Sequence, residues 1–338
     1  MLKVLDADKL KVWVKAVLKE HDVIGIQARG DKFDYAALES AEDLRLDFDV
    51  SVNAPKRFFL LPEEDLIRFR KGKASSVEEA APFVLFGVHP YDCVALSQME
   101  TVFSLKNKDM HYLSRRENAV IIAVDVQKPS ANVFSGYLGF EHVEKGYDIL
   151  LTKIDNEYLV DAATAKGRAL VALGQGFKAA DEKYEAKRKK VWSANKEKLR
   201  KHDLKPKVSA IGKLLEKAYD HPVWKEKAKL CFSCGTCNLV CPTCYCFDVA
   251  DRLEWNLEPA ARVRTWDGCM LENFATVAGN HNFRKQREER YRHRYYRKGK
   301  YVPDMIGEFS CVGCGRCIGA CVSHIANPVE VYNAIMEA

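Results

Sequence analysis

Two copies of one cysteine pattern constrain this 338-residue chain more than any other feature. In each copy, four cysteines are separated by two, two and three residues. The copies comprise Cys231, Cys234, Cys237 and Cys241, and Cys311, Cys314, Cys317 and Cys321. This spacing is typical of two-cluster ferredoxin loops, in which three cysteines hold one four-iron cluster and the fourth holds the other. The repeat therefore predicts two [4Fe-4S] clusters.

The predicted ligand sets cross between the two copies. Cluster 1 takes Cys231, Cys234 and Cys237 with Cys321, and cluster 2 takes Cys311, Cys314 and Cys317 with Cys241. Zinc sites also use closely spaced cysteine pairs, but two complete sets of four at this spacing favour iron–sulfur. The glycines within the loops suit them, because glycine tolerates a positive φ and a close backbone approach. Two such clusters would pass single electrons without a substrate pocket.

Composition favours a cytoplasmic protein with its own core. Apolar residues make up 47% of the chain and charged residues 30%, as in ordinary globular domains. The N-terminus lacks a signal-peptide pattern, and no apolar run reaches the ~18 residues of a membrane span. Twelve cysteines in a reducing compartment indicate metal binding more than disulfides. Cluster binding would also lower the formal charge of +6 to about +2.

The pattern along the chain predicts an α/β N-terminal domain followed by a cysteine-rich domain with two 4Fe-4S clusters. The boundaries are residues 1–175 for an α/β docking domain, 176–230 for a Lys-rich helical connector and 231–338 for the dicluster domain, which carries an insertion at 247–310. The connector is either a solvated segment or a surface for a partner.

Apolar runs predict the individual elements. Alternation and continuous apolar character indicate strands at 22–29, 57–62, 83–88, 119–126 and 147–154. Leu10, Val14, Val17 and Leu18 share one face of a predicted helix. Helices are also predicted to begin at Pro62, where three acidic residues follow, and to span 247–255 and 328–337.

A basic and aromatic stretch, residues 282–300, lies between the two cysteine motifs. Such a stretch suits nucleic acid in other proteins, but acidic residues interrupt it and the neighbouring clusters are anionic. We interpret it as counter-charge around the clusters or a docking face. Nucleic-acid binding and a merely solvated helix are the alternatives.

Beyond these motifs, nearly the whole chain resembles the beta subunit of cytoplasmic nickel–iron sulfhydrogenases and its relative, the A subunit of anaerobic sulfite reductase. The resemblance rests on KRFFLLPEEDL (56–66), FGVHPYDCVAL (86–96), the RRE at 115–117, CFSCGTCNLVCPTCYCFDV (231–249), RTWDGCM (264–270), GNHNFR (279–284) and CVGCGRC (311–317). It implies electron transfer between a flavin subunit that handles NAD(P)H and a catalytic subunit, in a hetero-oligomer. It also implies that the C-terminal part is an α-helical ferredoxin-type domain with two 4Fe-4S clusters.

The chain also departs from that family. The resemblance implies cysteines where this sequence has Tyr91, Val126, Val133 and Ser135, so an N-terminal metal site of relatives is absent here as a unit. Cys93, displaced by two positions, is interpreted as a lone buried thiol. Cys244, Cys246 and Cys269 are retained. They are candidates for an additional metal site or third cluster with a further ligand such as Asp267 or His281, or else buried thiols.

The leading hypothesis is therefore an electron-transfer subunit of a soluble oxidoreductase complex, without catalytic residues of its own. No G-x-G-x-x-G fingerprint occurs, so we expect no NAD site in this chain. The alternative is a flavin-dependent reductase subunit with its active site in the α/β domain. A third reading is a nucleic-acid-binding iron–sulfur protein. The terminal substrate belongs to chemistry in other subunits.

Overall fold

A mixed β-sheet forms the N-terminal part of the chain in the computed structural model, which describes residues 2–255 and 260–337. Within those residues the sheet has eight strands in the order β10-β1-β9-β8-β7-β6-β2-β3. The strands are β1 (Leu2–Asp6), β2 (Val23–Arg29), β3 (Lys32–Ala37), β6 (Phe83–Val88), β7 (Ala119–Val124), β8 (Ile149–Ile154), β9 (Glu157–Ala162) and β10 (Lys178–Ala179). The four central strands β2, β6, β7 and β8 pair in parallel, and the outer pairs are antiparallel.

The central strands are apolar because both faces of the sheet are covered. β6 and β7 are almost wholly buried, and the predicted strands at 22–29, 83–88, 119–126 and 147–154 are confirmed in substance. Five helices accompany the sheet in the described part of the chain: α1 (Ala7–Glu20), α2 (Pro90–Ser104), α3 (Met110–Asn118), α4 (Ala165–Ala172) and α5 (Glu182–Lys198). The predicted apolar face of α1 is buried through Trp13, Val14 and Val17.

A second sheet joins the two halves of the sequence. Within the described ranges it has four antiparallel strands in the order β11-β12-β4-β5. They are β4 (Glu63–Arg70), β5 (Lys73–Ser76), β11 (Phe247–Leu253) and β12 (Ala260–Trp266). The central contact pairs β4 with β12, so a segment close to the cysteine motifs is fastened to the N-terminal half.

Three element predictions are wrong at this sheet. Residues 57–62 form the end of a short 3₁₀ helix and a loop, the segment after Pro62 is strand β4, and 247–255 contains strand β11. Of the acidic residues after Pro62, Glu64 forms an ion pair with β12, Glu63 with Arg252 of β11, and Asp65 with Arg68 of β4 itself. The Glu64 carboxylate binds the buried Arg264 guanidinium, with Nη2 at 2.6 Å, and pairs with Arg115 Nη1 at 2.7 Å. A helix here would take Glu64 out of strand register with Arg264.

The C-terminal part combines helices with short strands, so a purely α-helical domain is not what the structure shows. Its helices are α6 (Ile211–Glu216), α7 (Val223–Lys229), α8 (Thr236–Leu239), α9 (Arg287–Tyr296), α10 (Val302–Ile306), α11 (Arg316–Ala320) and α12 (Pro328–Glu337), which confirms the predicted helix at 328–337. β13 (Thr276–Val277) and β14 (His281–Asn282) form a small hairpin.

A second apolar core lies among these helices. Ile211 and Leu215 of α6 and Trp224 of α7 pack with Tyr291 and Tyr295 of α9. The predicted connector is thus helical, but only α5 is mostly exposed, while α6 and α7 belong to this core. The division into three segments stays a prediction. In the ranges 2–255 and 260–337, none of the helices combines the length and apolar character needed to cross a bilayer.

Candidate iron–sulfur centres

The eight repeat cysteines surround two separate cavities. Cys231, Cys234, Cys237 and Cys321 line the first cavity. Cys241, Cys311, Cys314 and Cys317 line the second. The fold therefore brings together the same two sets of four that the crossed pattern assigned to clusters 1 and 2. Their role as ligands remains a prediction.

Each three-cysteine loop ends in a short helix that begins after a left-handed glycine. Gly235 precedes α8 with φ of 75°, and Gly315 precedes α11 with φ of 79°. A Cβ at Gly235 would lie 2.8 Å from the Leu271 side chain. A Cβ at Gly313 would lie 2.6 Å from the Ser135 amide nitrogen. Glycine is required here because the loops combine a positive φ with close packing on their outer side.

The eight thiols are arranged as one set of four around each cavity. Among residues 2–255 and 260–337, no group of three or more Cys, His, Asp or Glu side chains is close enough to hold a single metal ion. The eight thiols are also free of disulfides. Thiolate donors, in sets of four around an enclosed space, are the donor set that a [4Fe-4S] cluster takes.

Burial raises the pKa of four of these thiols, namely Cys237, Cys311, Cys314 and Cys317. It raises the pKa of Cys237 and of Cys314 to about 12. Cys241 differs, because hydrogen bonding from Cys244 and the nearby Lys298 and Arg294 charges hold its pKa well below the ordinary value. A metal group that binds these sulfurs as thiolates would have to displace the protons, so its binding would depend on pH.

Two buried cations border the cavities. Arg294 of α9 lines both, and its pKa is raised well above the ordinary value because the surrounding thiolates outweigh the cost of burial. Lys298 lines the second cavity and donates to Thr243 Oγ1 at 2.6 Å. These residues belong to the basic stretch 282–300. Their burial favours the counter-charge interpretation over nucleic-acid binding, because a buried cation cannot reach a phosphate backbone.

Cys244, Cys246 and Cys269 lie beside the two cavities rather than in their lining. The Asn238 side-chain amide donates to Cys269 Sγ at 3.5 Å and to Cys244 Sγ at 3.6 Å. The Asp267 carboxylate accepts from the Gly268 amide at 2.6 Å. His281 is exposed in β14. The additional metal site stays a prediction. Asn238 is a polar partner of both Cys244 and Cys269, and Cys244 also forms a hydrogen bond with Cys241.

Sequence reasoning missed Lys56, which sits in the same region. Its ammonium donates to the Cys244 carbonyl at 2.8 Å and lies 4.5 Å from the centre of the Trp266 ring. Burial lowers the pKa of Lys56, and the neighbouring thiolates oppose that shift. The KRFFLLPEEDL and RTWDGCM segments therefore meet around Cys244. The signal available in the sequence was that both segments contain basic and aromatic residues.

The four positions at which the resemblance implied lost cysteines lie close to the second cavity. Tyr91, Val126 and Val133 pack in one buried apolar cluster with Cys314. Ser135 is fully buried and lies against the Gly313 backbone. The fold thus places two valines and two hydroxyl-bearing side chains, Tyr91 and Ser135, at these positions. That a metal site was lost there as a unit remains a prediction. Cys93 is fully buried in the sheet core, as predicted.

A buried ion pair fixes the second cysteine loop on the N-terminal half. Arg316, directly before Cys317, donates to both carboxylate oxygens of Asp92 in α2 at 2.7 and 2.6 Å. It also donates to the Ser51 carbonyl at 2.9 Å. Both residues stand inside quoted motifs, but their pairing across the sequence could not be read from either motif.

Comparison with known proteins agrees with this geometry. Residues 230–325 match the family described as a 4Fe-4S dicluster domain. The chain is 32% identical over 327 residues to the protein named sulfhydrogenase 2 subunit beta from Pyrococcus furiosus, which covers 93% of this chain and 92% of that protein. No solved structure matches the chain. With a relative of this similarity along almost its whole length, the chain belongs to the sulfhydrogenase beta-subunit family.

Proposed function

We propose that this chain is the electron-transfer subunit of a multi-subunit oxidoreductase, passing electrons between a flavin subunit that handles NAD(P)H and a catalytic redox subunit. The observation that carries the proposal is the pair of four-cysteine cavities that share Arg294 in their lining. Two redox groups held this close to one side chain provide a short internal route. The catalytic chemistry is assigned to the partner, a hydrogenase or a sulfur or sulfite reductase.

The proposed ligands are Cys231, Cys234, Cys237 and Cys321 for cluster 1 and Cys311, Cys314, Cys317 and Cys241 for cluster 2. When bound, each [4Fe-4S] group would take up and release one electron at a time. The chain's own residues orient the thiols through the glycine loops, exclude water from the second cavity and place cations beside both. The relative is named a subunit beta, which supports a hetero-oligomer.

We also propose a cytoplasmic location. All twelve cysteines, each within the described part of the chain, have free thiols. Free and closely grouped thiols are stable in a reducing compartment and are oxidised readily outside it. Iron–sulfur binding by eight of them fits the same compartment.

Iron counting on the anaerobically purified chain tests the proposal. Two clusters give about eight iron atoms per chain, and a third site near Cys269 would raise the count to about twelve. Cys314→Ala should remove the electron paramagnetic resonance (EPR) signal of one cluster or convert it to a three-iron signal. Cys93→Ala, a buried cysteine outside both cavities, is the matched control and should keep full iron.

The same variants test the route itself. In the reconstituted complex, Cys314→Ala should stop electron flow from NAD(P)H to the catalytic subunit, while each partner keeps its reaction with artificial dyes. Unchanged overall turnover would show that electrons bypass this chain. Flavin absorbance in the pure chain would instead favour a reductase with its own active site.

A further inference from the structure

One face of α9 and of the turn that follows carries a row of buried cations. Arg290, Arg294 and Lys298 stand four residues apart, so their side chains share one side of the helical stretch. All three are buried, Arg294 with only 2% of its surface exposed. Burying a cation costs free energy unless anions or hydrogen-bond acceptors compensate. This set, called the cation row below, therefore needs a compensating partner.

Arg290 stands at the loop of the first cavity. Its Nη2 donates to Ser233 Oγ at 3.0 Å, between Cys231 and Cys234, and its Nη1 donates to the Lys285 carbonyl at 2.6 Å. Its Nε is buried and has no hydrogen-bond partner among the described residues. Arg290 thus brings one positive charge to the first cysteine loop.

Lys298 holds the corresponding position at the second cavity. Its ammonium donates to Thr243 Oγ1, which lies 3.5 Å from Cys241 Sγ. Lys298 is part of the lining of that cavity but not of the first. The charge at this end of the row is therefore directed to the second set of cysteines.

Arg294, in the middle of the row, lines both cavities. Its Nε and Nη1 atoms are buried, and within residues 2–255 and 260–337 neither has a hydrogen-bond partner. Its guanidinium carbon lies 5.0 Å from the centre of the Tyr295 ring. Two unpartnered N–H donors on a buried cation, at a wall common to both cavities, match sulfur acceptors that the cavities would hold.

We propose that the cation row sets the reduction potentials of the two clusters, with Arg294 as a hydrogen-bond donor and counter-charge shared by both. Arg290 serves cluster 1 alone, and Lys298 serves cluster 2 alone. This inference rests on the proposed binding of a cluster in each cavity. Reduction adds negative charge to a cluster, and a nearby buried cation stabilises that charge strongly because the surroundings screen it poorly. Each cation thus favours the reduced state of the cluster beside it.

The test is an EPR-monitored redox titration of the purified full-length protein. Arg294→Gln removes the charge and should lower the potential of both clusters, each by at least a tenfold change in the reduction equilibrium, about 59 mV for one electron. Lys298→Met should lower only the reduction potential of cluster 2, the cluster that Cys314→Ala disturbs. Arg290→Met should lower only the reduction potential of cluster 1. Arg287→Gln, an exposed site on the same helix, is the matched control and should leave both potentials unchanged.

The outcomes separate this inference from the function on which it rests. Wild-type protein without iron or cluster signals would refute the proposed function. Intact clusters with a shift of only one potential in Arg294→Gln, or of neither, would refute the shared role. Arg294→Lys keeps the charge and covers the case in which Arg294→Gln fails to assemble. It should shift both potentials less than Arg294→Gln, and unchanged potentials and EPR spectra in Arg294→Lys would overturn the donor role.

Discussion

Gly315, in the second cysteine loop, shows what a single residue contributes to the packing of that loop when it is compared with Gly307, which follows α10. The two have nearly the same left-handed backbone, with φ of 79° and 77°. A Cβ at Gly315 would overlap the main chain of Asn132, whereas a Cβ at Gly307 meets nothing within 4 Å. We expect Gly307→Ala to cost about 1 kcal/mol, the penalty of the left-handed backbone. Gly315→Ala should cost at least about 3 kcal/mol, because backbone must also move.

Chemical denaturation of the two alanine variants measures this difference. Gly307→Ala serves as the control for the backbone term, so the excess in Gly315→Ala reports the contact with Asn132. Equal losses in the two variants would contradict the close packing of the second cysteine loop on the N-terminal half.

Asp125, which directly follows β7, makes the stability of the protein depend on pH. Its Oδ2 accepts from Thr152 Oγ1 at 2.6 Å and from Trp192 Nε1 at 2.9 Å. Burial raises the pKa of Asp125 to about 6, above the value near 3.9 expected in the unfolded chain. Between these values the folded state binds more protons than the unfolded state, so stability falls as the pH rises through this window.

Asp125→Asn removes that titration. From pH 5 to pH 7, the free energy of unfolding of the wild type should fall by about 1.4 kcal/mol relative to Asp125→Asn. The difference between the two proteins should then stay constant above pH 7. Denaturation curves at the two pH values measure it, and parallel pH profiles would contradict the raised pKa.

Elements distant in sequence are joined by the pair of Asp92 in α2 and Arg316 in α11, which is fully buried. Asp92→Asn leaves the guanidinium without its counter-charge, and breaking a buried pair from one side costs about 3–5 kcal/mol. The control is Asp47→Asn, which breaks an exposed ion pair with Arg45 that is also bidentate. It should lower the free energy of unfolding by at most about 1 kcal/mol.

Thermal unfolding and limited proteolysis of the two variants provide the measurement. Asp92→Asn should unfold at lower temperature and expose the second cysteine loop to protease, while Asp47→Asn should behave as wild type. Similar small effects in both would mean that the pair does not fasten α11 to the N-terminal half.

Elements also mark where sequence reasoning succeeded and where it could not. β6 and β7 were predictable because their apolar runs are local signals. β4 was not, because its partner β12 lies far along the chain and no local pattern records such a partner. β11 pairs with the nearby β12, and its mixed apolar and charged residues were interpreted as a helix. The cysteine sets were predictable because the crossed spacing itself encodes a long-range contact. Arg294 was visible only as one of many basic residues in 282–300, since its burial depends on the finished fold.

At the scale of the whole molecule, the two cavities differ in their access to a partner. The second is enclosed by the N-terminal half, through Phe134 and the loop that meets Gly313. The first reaches the surface at Cys234, which is exposed, and is bordered by Phe232 and Val322, both largely exposed. Electrons would therefore cross to a partner most directly at the first cavity.

The exposed apolar border of the first cavity predicts where an electron-transfer partner binds. Val322, 73% exposed, directly follows Cys321. Exposed lysines lie at the first cysteine loop, because Lys229 stands shortly before Cys231 and the Lys285 carbonyl accepts from Arg290, which also donates to Ser233. An electron carrier with an acidic contact surface fits this edge, because opposite charges steer association. Val322→Glu should therefore slow electron transfer to the partner at least about tenfold, with both cluster potentials and the iron content retained.

Val12→Glu, at a 59% exposed valine of α1, is the matched control and should leave the rate unchanged. Stopped-flow reduction at several salt concentrations measures both. If Val322→Glu transfers electrons as fast as Val12→Glu, the partner does not bind at the exposed edge of the first cavity. Electrons would then have to reach the partner through the enclosed second cavity.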